Sequence, residues 1–126
     1  QASCGWRMLG TTWWPSNCIG GLALSQLHLS KTETGILLSA MLHWDMPSAV
    51  HYGHVYYSYT DSIQSQQHQQ MLGVAVGSSF CVYGIQAAAA STFTVVPLLN
   101  TGGLVERWDD AAIVKLSLLD ALKAMG

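Results

Sequence analysis

The chain has 126 residues, half of them apolar and 10% charged, with seven acids and five bases setting a formal net charge of −2. That length fits one domain over residues 1–126, with a core of its own. So small and balanced a charge argues against a nucleic-acid partner, because phosphate contacts need clustered Lys and Arg.

Charge placement carries more information than the total. No Asp, Glu, Lys or Arg occurs between Arg7 and Lys31, or between Asp61 and Glu106. Average soluble domains are about 25% charged and spread those charges over their surface. Here the surface is covered by neutral polar groups or by another molecule. An assembly subunit, a membrane-associated protein and an extracellular domain all fit that description. With Gln1 at its start, the chain reads as processed or as a fragment, and a secreted or exported protein is expected.

The segment Trp6 to Trp14 carries three tryptophans and reads as a short strand before a turn at Pro15 and Ser16. Cys4 and Cys18 flank it. A disulfide between them would contribute about 3 kcal/mol by loop closure. Cys81 is left over inside an apolar run and reads as a small buried hydrophobe.

Leu22 and Leu24, then Leu27 and Leu29, recur at spacing two, with a slip near Ser25 and Gln26 that a bulge explains. After the charged turn Lys31–Gly35, a second apolar run spans Ile36 to Trp44, so the pair reads as a hairpin. Asp45, Met46, Pro47 and Ser48 signal another turn. Ala49 to Thr60, rich in tyrosine, reads as a strand. Together these segments predict an antiparallel meander.

Asp61 with Gln64 resembles a capping box and predicts a glutamine-rich helix over Ser62 to Leu72. Residues 71–99 are long and apolar enough to cross a bilayer, which takes about 20 residues. Gly73 and Gly77 even supply G-x-x-x-G spacing. Ser78, Ser79, Gln86, Ser91, Thr92 and Pro97 favour the competing reading, buried strands at Phe80–Ile85 and Thr92–Val96. At the end, Asp109 as cap, with Ile113, Leu116, Leu119 and Leu122 at spacing three, predicts an amphipathic helix running to Met125. The resulting fold class is α+β: an antiparallel sheet, meander plus later strands, covered by a C-terminal amphipathic helix.

His43, Asp45 and His51 are the candidate metal ligands, since imidazole and carboxylate suit zinc or copper. If the turn at Asp45–Ser48 closes a hairpin, His43 lies across from His51 or its neighbour, within reach of one ion. No nucleophile elbow, P-loop, H-E-x-x-H or C-x-x-C motif occurs. Tyr52, Tyr56, Tyr57 and Tyr59 are the candidate binding surface, because tyrosine joins apolar area to a polar tip. Strand parity groups Tyr52 and Tyr56 with His54, and Tyr57 and Tyr59 with His51.

The expected function is a non-enzymatic, secreted or exported interaction or structural protein, which self-assembles or docks on a larger complex. Its expected partner is itself or another protein, with a membrane as an alternative. Two other readings stand beside it. One is a membrane-active, toxin-like protein inserting residues 71–99. The other is a small metal-dependent enzyme using His43, Asp45 and His51.

Overall fold

Alternation of inward apolar and outward polar residues builds sheet, and it runs through most of this chain. The computed structural model describes residues 6–9, 12–15, 19–47, 50–61 and 63–125. Its first strands are β1 (Trp6–Leu9), β2 (Thr12–Pro15), β3 (Gly20–Thr32), β4 (Gly35–Asp45) and β5 (Tyr52–Asp61). They are followed by β6 (Gln66–Val76), β7 (Ser79–Gln86), β8 (Ala90–Asn100), β9 (Leu104–Glu106) and β10 (Ala112–Ser117). A turn of 3-10 helix, Trp108–Asp110, precedes β10, and α1 (Leu118–Met125) follows it.

Among the described residues three antiparallel sheets result. β1 and β2 form a hairpin of their own. A second sheet has the order β3-β4-β7 and a third the order β10-β8-β5-β6. Leu98 of β8 pairs with Tyr52 of β5 on one side and Glu106 of β9 on the other, so β9 lies along the β10 side of β8.

The two larger sheets pack face to face as a sandwich. Leu38, Leu42, Trp44 and Val82 from one meet Val55, Tyr57, Ala75, Phe93, Val95 and Ala112 from the other, with Ile19 beside them. Leu22, Leu24, Leu27 and Leu29 all pack against this core. The slip expected near Ser25 is present as a register shift between Ser25 and His28, with Gln26 at φ 51°. Opposite this edge, Phe80 of β7 lies over Gly73 of β6, where an added Cβ would sit 3.1 Å from its ring.

The fold is therefore β-rich, and the α+β expectation is corrected. The segment expected to be one long helix splits at Leu118. Ala112, Val114 and Leu116 face the core while Ile113 and Lys115 face out, so the period-two reading wins there. The strand is held by pairing with β8 over Ala90–Val95. Ser117 Oγ then accepts the Asp120 N–H at 3.4 Å, which places the helix start well beyond Asp109. The eight-residue α1 buries Ala121 but leaves Leu119 and Leu122 exposed, so it is no covering layer.

The meander breaks after the first hairpin. β3 and β4 pair as expected, but β5 belongs to the opposite sheet. The glutamine-rich helix is also a correction, for Gln66–Val76 is strand β6. Asp61 still caps, although it caps a turn: its Oδ1 accepts the Ile63 N–H at 2.9 Å and the Gln64 N–H at 3.4 Å. Ser65 at φ 53° then turns the chain back along β5. The apolar stretch 71–99 becomes the end of β6, β7 and most of β8, as the strand alternative expected. No helix among the described residues is long and apolar enough to cross a membrane.

Candidate functional site at the outer face of the larger sheet

Strand parity sends Tyr52, His54 and Tyr56 of β5 to the solvent side of the β10-β8-β5-β6 sheet, while Val55 and Tyr57 enter the core. β6 lays Val76 beside Tyr52 and Val74 beside His54. On the other flank, Val96 lies beside His54 and Leu98 beside Tyr52. β9 then brings Glu106 next to Leu98.

Glu106 reaches across β8 and gathers three donors. Its Oε2 lies 2.7 Å from His54 Nδ1 and accepts the Tyr56 hydroxyl, and its Oε1 accepts Trp108 Nε1–H at 3.1 Å. The span passes between the registers of Val96 and Leu98, both of which are buried although they point outward. The rings pack on one another: Tyr56 and Trp108 centroids are 5.0 Å apart, and His54 meets Tyr56 edge-on at 6.3 Å.

These bonds shift the groups that make them. The Tyr56 hydroxyl first, then His54 and Trp108, hold the Glu106 carboxyl below its ordinary value of 4.5. Burial, reinforced by the hydrogen bond and charge of Glu106, pushes Tyr56 up to about 12. An ionised carboxylate only accepts, so His54 Nδ1 must be the donor in their bond. The His54 Nε2 atom is then the outer nitrogen of a ring held in one orientation. Chemically, the cluster is a rigid set of aromatic side chains tied to one anion.

Around it the surface is apolar and open. Tyr52 is 38%, Trp108 46%, Val74 49% and Val76 73% exposed. Trp108 is thus held in place by Glu106 while half of it faces solvent.

No family model matches this chain, and no curated protein or solved structure does.

The residues singled out from sequence are distributed as follows. Tyr52 and Tyr56 lie on the outer face with His54, as parity expects. Tyr57 is buried, and Tyr59 is half-buried and stacked on His68 at 5.0 Å, so these two serve packing. His43 and Asp45 lie at the end of β4, where His43 pairs with Ala23 and Ser79. His51 precedes β5 in the other sheet, so the hairpin that would set it opposite His43 is not formed. Among the described residues no three His, Cys, Asp or Glu side chains converge on one point. Cys81 is exposed on β7 and not buried as expected. Cys4 and Cys18 lie outside the described residues. Glu106, Trp108, Val74 and Val76 had no signal as a group, because the sheet joins them across long stretches of chain.

Proposed function

We propose that this protein is a structural subunit that assembles with further protein copies through the outer face of its larger sheet. The half-exposed Trp108, fixed by Glu106 and packed on Tyr56, carries this reading, together with Tyr52, Val74 and Val76 exposed on the same sheet. Preorganised tryptophan and tyrosine lose little side-chain entropy on docking, and flanking valines exclude water from the contact. The lack of charge between Asp61 and Glu106 supports it as well, since charge is depleted at interface centres.

Sedimentation velocity over a concentration series tests the reading. Wild-type protein is expected to sediment faster as concentration rises, and the variant V74D/V76D to form smaller species than wild type at each concentration while keeping its folded circular dichroism. A wild-type chain that stays monomeric throughout contradicts the proposal.

A further inference from the structure

A strand at the border of a sheet presents unpaired N–H and C=O groups, and proteins usually blunt such borders with charge, bulges or breaks. Among the described residues, β3, β7, β6 and β10 border the two larger sheets. β3 carries Lys31 and two register shifts, and β10 carries Lys115. β7 is interrupted by Gly84, at φ 65° in the left-handed region, where its register against β4 shifts.

β6 has no such device in its first half. Gln66–Val76 contains no Asp, Glu, Lys, Arg or Pro. From Gln66 to Met71 it pairs with β5 without interruption, and its one bulge follows at Leu72. Gln66, Gln67, Gln69 and Gln70 are all exposed. His68 is half-buried, its ring stacked at 21° on Tyr59.

The order of these residues adds the decisive feature. Gln66-Gln67-His68-Gln69-Gln70 reads the same in both directions. In an antiparallel pair of identical strands centred on His68, Gln66 faces Gln70, Gln67 faces Gln69, and His68 faces its own copy. Every glutamine amide brings both donor and acceptor, so each Gln–Gln pair satisfies itself, and no like charges meet. A foreign strand would gain nothing from this symmetry. A second copy matches it at every position.

We propose that β6 pairs antiparallel with β6 of a second copy of this chain, about a two-fold axis at His68. The β10-β8-β5-β6 sheets of the two copies then become one continuous sheet, and the Tyr52–Val74–Val76 faces of both copies lie on the same side of it. This inference goes beyond the assembly reading above: it adds a second contact with a copy of this chain, at the sheet edge and not on its outer face.

Paired charge variants test the register. Q67K/Q69K sets lysine opposite lysine twice across the axis and is expected to weaken dimerisation roughly tenfold. Q67E/Q69K sets unlike charges opposite each other in the same register and is expected to restore it. In addition, H68C is expected to give an intermolecular disulfide joining the two substituted positions, since facing Cβ atoms lie about 5 Å apart. Q70C, which faces position 66, is expected to give little. Peptide mass spectrometry separates this link from any involving the native cysteines. An oligomer unchanged by Q67K/Q69K, or Q70C cross-linking better than H68C, overturns the pairing. If V74D/V76D still reduces that oligomer, the assembly reading survives. A wild-type monomer at every concentration removes both.

Discussion

Glu106 Oε2 lies 2.7 Å from His54 Nδ1, a contact that spans β8 and joins residues 52 positions apart. It ties the short strand β9 to β5 through side chains, since among the described residues β9 pairs directly only with β8. Replacing Glu106 by Gln keeps the size but removes the anion that three donors share. A hydrogen bond to a charged group contributes about 1.5–3 kcal/mol when buried, and partial exposure reduces that, so a loss of about 1 kcal/mol is expected. Urea unfolding should show a lower midpoint with an unchanged slope.

The same cluster makes stability depend on pH at both ends. Glu106 is held below its ordinary 4.5 by Tyr56 and then His54, so its stabilising effect is complete above that value. It is lost as pH falls through the lower folded value. Wild-type protein should therefore lose stability below pH 4.5 more steeply than E106Q.

Tyr56 behaves in the opposite sense. Burial raises it from 10.0 to about 12, so the fold favours the neutral phenol. That stabilisation is complete below pH 10 and is lost as pH rises towards 12. Absorbance titration of the phenolates should show a step centred near pH 12 that Y56F lacks.

Tyr57 joins the two sheets by its hydroxyl. It donates to the Gln86 carbonyl at 3.3 Å and accepts the Ala88 N–H at 3.2 Å, at the end of β7. Y57F leaves the ring in the core and the Ala88 N–H unpaired. A loss of about 1 kcal/mol is expected, read as a lower Tm with near-native circular dichroism.

How much of this was legible in the sequence depends on the range of each interaction. The β3–β4 hairpin, its bulge near Ser25, and the division of Tyr52, His54 and Tyr56 from Tyr57 follow from period-two patterning, which is local. Residues 112–123 satisfied both periods at once. Helix and strand readings both placed Leu116 inward, and pairing with β8 decided between them. Gln66–Gln70 has no apolar pattern, and Asp61 caps a turn as readily as a helix, so β6 was hidden. Glu106 joins His54 only because β8 sets β9 and β5 on its two sides. Such a relationship belongs to sheet order, which local pattern does not encode.

Ser91 offers a test in the stabilising direction. Its hydroxyl is buried in β8, opposite Tyr59 and Leu116, with no hydrogen-bond partner among the described residues. Burying an unpaired hydroxyl costs about 1–3 kcal/mol, so S91A should raise the unfolding midpoint by about 1 kcal/mol after the lost packing. A lower midpoint would show that the hydroxyl is satisfied.

Coverage of the outer face of the larger sheet by further copies of this chain has a direct consequence for mass in solution. Size-exclusion chromatography with light scattering, run on wild-type protein from micromolar to millimolar concentration, addresses it most directly. The expected result is a mass of at least two chains that falls toward one on dilution. One chain at every concentration would contradict it.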